Sequence, residues 1–246
     1  MGLVTKMLDI LYPRSDCCLY CGEGYYSSEI YGLCESCLQK INYIERCCSR
    51  CGRNLSGNEE DLCPECRNKD YYFESARSIA VYSGLFRQLI LNLKYEHFLE
   101  LTAPLSELLY NYFRFYFEDR VFDYIIPVPL HSERLQERGF NQAELLAVEL
   151  SLRTGLPLLT EAVNRKRNNP PLYQYTLEER INYIKGCFYI EEGKKELLEN
   201  SSILLLDDIF TTGTTVNELS YLLKKEGRVR RVDVYTAASA SYENQL

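Results

Sequence analysis

Residues 203–215 read I-L-L-L-D-D-I-F-T-T-G-T-T, and the order of residue types in that stretch decides the fold. Ile203, Leu204, Leu205 and Leu206 form a continuous apolar run, the pattern of a central parallel strand buried on both faces; a half-exposed strand would alternate. Asp207 and Asp208 stand at the end of the run. A turn of Thr211, Thr212, Gly213, Thr214 and Thr215 then opens a helix whose apolar face is Val216, Leu219, Leu222 and Leu223. In open α/β sheets, ligands sit beyond the carboxyl ends of the strands. Backbone N–H groups at a helix N-terminus, joined by threonine hydroxyls, cradle a phosphate. Two acids just before such a cradle accept hydrogen bonds from vicinal sugar hydroxyls, so the segment describes a site for a ribose 5-phosphate. A Walker loop requires a lysine that this turn lacks, and a dinucleotide fingerprint requires three glycines where Gly213 stands alone.

Working outward, Ser75 to Tyr82 reads as a strand and Gly84 to Lys94 as a helix with Leu85, Leu89 and Leu93 spaced toward a core. Thr102 to Phe117 is a longer helix, and Phe122 to Val128 a short buried strand stopped by Pro127 and Pro129. Asn141 to Arg153 is a helix with Asn141 as N-cap and Gly155 just past its end. Gly186 to Ile190 is strand-like, with Cys187 a small buried hydrophobe, and Val229 to Ala237 is the last strand. Strands alternating with helices predict a doubly wound, parallel α/β sheet.

Ahead of this region the chemistry is different. Four C-x-x-C pairs, Cys18/Cys21, Cys34/Cys37, Cys48/Cys51 and Cys63/Cys66, fall in two similar halves: C-C-L-Y-C-G at 17–22 and C-C-S-R-C-G at 47–52, each followed by Leu-Cys-x-x-Cys. Two residues between thiolates let a tight turn present both sulfurs to one tetrahedral zinc ion, and the glycine after each knuckle, Gly22 or Gly52, allows the sharp turn. The spacing predicts two structural zinc sites in a double zinc ribbon over 1–70, with an α/β domain over 71–246. Crossed pairing between the halves uses the same thiolates and stays open, as does a shifted register through Cys17 or Cys47. Each ribbon has little hydrophobic material, so zinc is expected to supply most of its folding free energy. The ribbons act either as a structural cap or as a grip on a partner, for which Tyr20, Tyr25, Tyr26 and Tyr31 offer aromatic surface and Arg46, Arg50, Arg53 and Arg67 scattered positive charge.

The formal net charge of −7 provides no overall field toward a polyanion, so any contact with nucleic acid must be local. His97 and His131 are the two histidines, which leaves little for histidine-based catalysis. No stretch of about 18 uncharged apolar residues predicts a membrane span, and Met1 to Tyr12 has no apolar core of a signal peptide. A cytoplasmic protein is expected, and a reducing compartment favours metal-bound thiolates over disulfides.

The 203–215 stretch resembles the phosphoribosyl pyrophosphate (PRPP) motif of type I phosphoribosyltransferases. The chain as a whole resembles the ComF family of competence proteins: L-K-Y at 93–95, P-V-P-L at 127–130, R-L-Q-E-R-G-F-N-Q-A at 134–143, and the spaced Gln174, Arg180, Asn182, Gly186 and Phe188 are the other matching blocks. The resemblance implies a type I phosphoribosyltransferase-like sheet. Asp207 and Asp208 would bind the ribose hydroxyls, Thr211 to Thr215 the 5-phosphate, and Arg134 and Arg138 the pyrophosphate, with Mg²⁺ accompanying PRPP. Asp207, Asp208 and Arg138 would carry any catalysis. It also implies action in natural competence, the uptake of transforming single-stranded DNA across the inner membrane. Partners would be single-stranded DNA, a competence helicase or another DNA-uptake protein, and the location cytoplasmic, at the inner face of the membrane. An active phosphoribosyltransferase of nucleotide metabolism and a degenerate transferase scaffold with the ribbons as interaction module are the alternatives. The runs Arg165, Lys166, Arg167 and Arg228, Arg230, Arg231 read as solvated charge, with nucleic-acid contact the sharper reading. Lys94 and Tyr95 read as packing at the sheet edge.

Overall fold

Strands β1 (Ser75–Val81), β2 (Tyr124–Pro127), β5 (Ser202–Phe210) and β6 (Arg231–Ser239) pair in parallel in the order β1, β6, β5, β2. The computed structural model describes residues 17–25, 28, 30–55, 61–167 and 177–241. Tyr26, Gln174, the side chain of Arg180 and the stretch Met1 to Tyr12 lie outside the described residues. The run Ile203 to Leu206 is fully buried, and each such side chain contributes about 1.5–3 kcal/mol relative to exposure. Its period of two separates the faces. Leu204 and Leu206, with Tyr235 and Ala237 of β6, join the core under α3 (Gly84–Tyr95), α4 (Thr102–Phe117) and α6 (Gln142–Thr154). Ile203 and Leu205, with Val232 and Val234, face α9 (Thr214–Lys225) on the other side.

Two expectations need correction. First, β5 does not stop at Leu206: its partner β6 runs on to Ser239, pairing Asp207 with Thr236 and Phe210 with Ser239, so both acids lie within the strand. Second, the strand read at Gly186 to Ile190 is not in the parallel sheet. Residues Phe188–Ile190 (β4) pair antiparallel with Val163–Arg165 (β3), a hairpin-like pair packed with α7 (Leu177–Ile184) against α9. Cys187 is buried as expected, its thiol on the Tyr183 carbonyl at 2.8 Å.

The ribbons are built into both cores. The first, with α1 (Glu35–Leu38), contributes Ile30, Leu33, Leu38 and Ile41 beside Cys18, Cys34 and Cys37 to the α3/α4 side, and the second, with α2 (Pro64–Arg67), contributes Cys48, Cys51, Leu55, Cys63 and Cys66 to the α9 side. Poor hydrophobicity therefore describes a ribbon alone, while here each shares a larger core. The chain between the ribbons also covers the edge of β1: Ile44 N donates to Ile79 O (2.9 Å) and Val81 N to Asn42 O (2.9 Å). An edge strand so covered cannot template pairing with another chain. Nearby, Ala76 N donates to Arg50 O (2.7 Å), and a Cβ on Gly52 would stand 2.3 Å from the Ala76 carbonyl oxygen, so a glycine is required at that contact as well as at the knuckle.

Candidate functional site

The carboxyl end of β5 and the turn after it form the candidate site. Asp207 Oδ1 accepts from the Asp208 amide at 2.9 Å, and Asp208 Oδ2 pairs with Lys94 Nζ at 2.5 Å. Burial, together with the adjacent Asp208 charge, pushes Asp207 up to about 7, with Lys94 pulling the other way. Burial also works against the Lys94 charge, but the two acids outweigh it and its pKa is raised. Lys94 is thus correctly seen as a member of this site rather than packing at the sheet edge: the last turn of α3 delivers it to the acids.

Beyond Phe210, Gly213 adopts a left-handed conformation (φ 72°) directly before α9. Thr212 and Thr214 are buried with their hydroxyls 2.7 Å apart, and the first-turn N–H groups of such a helix have no partner inside it. Behind the turn, a Cβ on Gly213 would lie 2.6 Å from the Phe210 ring and 3.3 Å from that of Tyr71. Phe210 is held by an edge-on contact with Phe73 (6.1 Å between centroids).

The R-L-Q-E-R-G-F-N-Q block folds as α5 (Ser132–Arg138), a left-handed Gly139 (φ 77°), and the start of α6. Asn141 caps α6 by accepting from Ala143 N (3.1 Å), while its amide donates to the Val128 carbonyl (3.1 Å), fixing the loop after β2. Arg138 donates to Gln142 Oε1 (2.7 Å) and lies over the Tyr95 ring (5.3 Å), which joins the α5 end to the L-K-Y segment. The structure therefore connects Arg138 to Tyr95, next to Lys94, and brings Lys94 to Asp208.

Arg165, read as solvated charge, is corrected: it lies half-buried on β3 over the Phe188 ring (5.6 Å). Burial lowers its pKa, with Arg134 adding to the effect and Cys187 and Asp207 opposing it. Arg53, read as surface charge of the second ribbon, is 1% exposed. It pairs with Glu65, donates to Thr211 O at 2.5 Å, and stands over the Phe210 ring at 5.6 Å. Neither burial was readable locally. Tyr20 and Tyr25, read as open aromatic surface, make internal bonds: Tyr20 donates to Gln88 Oε1 (2.5 Å) and Gly32 N donates to the Tyr25 hydroxyl (2.7 Å). The cluster Arg228, Arg230 and Arg231 is at the opposite end of the sheet and is engaged within the chain, by Glu199, Ser202 and Asp233 respectively.

Each cysteine set assembles within its own half. The thiol sulfurs of Cys18, Cys21, Cys34 and Cys37 lie within 4.8 Å of one another, as do those of Cys48, Cys51, Cys63 and Cys66. Cys21–Cys34 and Cys51–Cys63 are each 3.7 Å apart; Zn–S bonds of ~2.3 Å demand tetrahedron edges of about 3.8 Å, so the donor sets fit zinc. Cys17 and Cys47 instead form backbone bridges with Gly24 and Asn54 that close the knuckles.

A raised acid is a destabilising one. Asp207 costs nothing below its unfolded value of 3.8, and the penalty grows up to about pH 7 and is constant above it. Asp207→Asn should therefore stabilise the ligand-free protein by about 1–3 kcal/mol at pH 8, the gain shrinking toward zero at pH 4. Urea unfolding at the two pH values measures this, and a variant less stable than wild type at pH 8 contradicts it.

Residues 7–69 match the double zinc ribbon domain family. Competence protein F of Haemophilus influenzae is 29% identical over 226 residues, 91% of this chain and 96% of that protein. Competence protein ComFC of Bacillus subtilis is 28% identical over 83% of this chain and 82% of that protein, and the DNA utilization protein YhgH of Escherichia coli K12 is 29% identical over 80% and 86%. A purine phosphoribosyltransferase from Pyrococcus horikoshii aligns over 55% of this chain and 79% of that chain at 15% identity, with a TM-score of 0.32 that adds nothing to the fold described above. No helix among the described residues is long and apolar enough to cross a membrane. Matched to these relatives over most of their length and carrying both cysteine sets of the ribbon pair, the chain is similar to the competence proteins F and ComFC and to the DNA utilization protein YhgH.

Proposed function

We propose that the chain binds PRPP with Mg²⁺ at the end of β5 and that this binding serves the handling of incoming single-stranded DNA. The observation that carries the reading is the succession on one strand and turn of Asp207, Asp208 and the left-handed Gly213 opening α9. The first-turn amides of α9 and the hydroxyls of Thr212, Thr214 and Thr215 would take the 5-phosphate. Asp207 and Asp208 would accept from the ribose hydroxyls, with Lys94 exchanging its present bond for one to the ligand. The loop after Pro127, held by Asn141, leads toward the pyrophosphate, with Arg134, Arg138 and Arg165 as its cations; a planar guanidinium can hold two phosphate oxygens and stays charged. Mg²⁺ would neutralise pyrophosphate charge, held mainly by ligand oxygens and water. Lys94 on Asp208 and Arg138 over the Tyr95 ring, in a chain with net charge −7, support an anionic ligand. The division near residue 70 belongs to the same proposal: the ribbons brace the body that binds the ligand. The names of the relatives support the DNA context.

Calorimetric titration of Mg-PRPP tests this with wild type and Asp207→Asn, a variant expected to be folded. A lost hydrogen bond to a charged group, about 1.5–3 kcal/mol, predicts affinity weakened roughly 10- to 150-fold. Equal affinity in the two proteins, or no binding by wild type, refutes the reading.

A further inference from the structure

The second ribbon reaches the candidate phosphate turn through one side chain. Arg53 leaves the backbone two residues after Cys51, and its own carbonyl accepts from the Cys48 amide at 2.9 Å, so the knuckle fixes where the side chain starts. Its guanidinium then bridges two elements: Nη1 pairs with Glu65, which lies between Cys63 and Cys66 on α2, and Nη2 donates to the Thr211 carbonyl at 2.5 Å. Glu65 is gripped further by Lys69 (3.3 Å) and by the Tyr71 hydroxyl (3.2 Å). Tyr71 is, after Phe210, the second ring that would meet a Cβ on Gly213, and the next residue, Tyr72, donates its N–H to Asn217 Oδ1 (2.7 Å) on the first turn of α9. Both ligand pairs of the second zinc set are therefore tied to the turn 211–213 and to α9. In the first ribbon the described contacts go elsewhere: Tyr20 to Gln88 on α3 and Tyr31 N to Glu107 on α4.

We propose that Arg53 is a positioning residue of the phosphate turn, so that zinc in the second ribbon, and not zinc in the first, sets the order of residues 211–214. A buried guanidinium with a carboxylate on one side and a carbonyl on the other holds both at fixed separation, because its donors form a rigid planar fork. Remove the zinc and the knuckle carrying Arg53 and the turn carrying Glu65 lose their common centre, so the fork no longer has a fixed origin. The coupling is reciprocal: a ligand that orders the turn must hold the second zinc more tightly by the same factor. This proposal extends the PRPP reading of the same turn, yet its first test needs no ligand.

The test is amide hydrogen exchange on the full, zinc-loaded chain without ligand, in wild type, Arg53→Met and Arg53→Lys, with zinc content measured for each. Exchange at Thr212, Gly213 and Thr214 should quicken at least tenfold in Arg53→Met and less in Arg53→Lys, which keeps the charge beside Glu65 but not the fork. Residues 33–38 of the first ribbon should be unchanged. Cys63→Ser should loosen the same turn where Cys34→Ser does not. Exchange within twofold of wild type in both Arg53 variants, or equal quickening in the first ribbon, overturns the proposal. In a second arm, Mg-PRPP should slow chelator capture of one of the two zinc ions at least threefold in wild type and not in Arg53→Met. If Mg-PRPP does not bind at all, the ligand reading falls while the exchange data still decide the role of Arg53; if it binds yet slows both zinc ions equally or neither, the coupling is refuted.

Discussion

Gly213→Ala should abolish PRPP binding, lowering affinity more than 100-fold, while the protein still folds. The left-handed conformation (φ 72°) costs an L-residue roughly 1–2 kcal/mol. The added methyl would also enter the Phe210 ring at 2.6 Å. That ring cannot withdraw cheaply, because it is buried, lies edge-on to Phe73 and sits under Arg53. Forced overpacking of this kind costs about 1–3 kcal/mol more. The strain is relieved most easily by moving the exposed side of the turn, which is where the phosphate is proposed to bind. Denaturant unfolding should show a loss of about 2–5 kcal/mol, and titration the loss of binding. Wild-type affinity in Gly213→Ala would mean that the turn is not the phosphate cradle.

Lys94→Met has the other large effect, and its sign depends on pH. Lys94 and Asp208 are paired at 2.5 Å with side chains only 18% and 11% exposed. Breaking a buried pair from one side costs about 3–5 kcal/mol because the remaining charge has no partner. Lys94 is also one of the groups that restrains the rise of Asp207. Without it Asp207 becomes harder to ionise, and its protonation relieves part of the penalty. The destabilisation should therefore be full at pH 8 and fall markedly by pH 5, the direction set by an acid whose folded pKa is raised. Chemical denaturation at both pH values measures it. A loss below 1 kcal/mol, or one independent of pH, would show that Lys94 does not hold the acid pair.

The parts of this site that the sequence made readable are those with local signatures. Ile203 to Leu206 announced a doubly buried strand by lacking alternation, Asn141 and Gly155 marked both ends of α6, and the doubled C-x-x-C spacing specified two tetrahedral thiolate sets. What could not be read depends on partners distant in the chain. The extension of β5 through Asp207 and Asp208 is set by β6, more than 20 residues away. The strands Val163–Arg165 and Phe188–Ile190 are too short to show a period, so Arg165 looked like solvated charge. Arg53 meets Thr211 across 158 residues, and nothing around either position marks the contact. The L-K-Y block at 93–95 is the one local signal that points to Lys94 as part of the site.

The most direct test of the central claim is a crystal structure of the full chain with Mg-PRPP. The 5-phosphate is expected on the amides and hydroxyls of residues 212–215, and the ribose hydroxyls within hydrogen-bond distance of Asp207 or Asp208, with Lys94 released from Asp208. A ligand bound elsewhere, with Lys94 still closed on Asp208 and the turn at Gly213 bare, would contradict it.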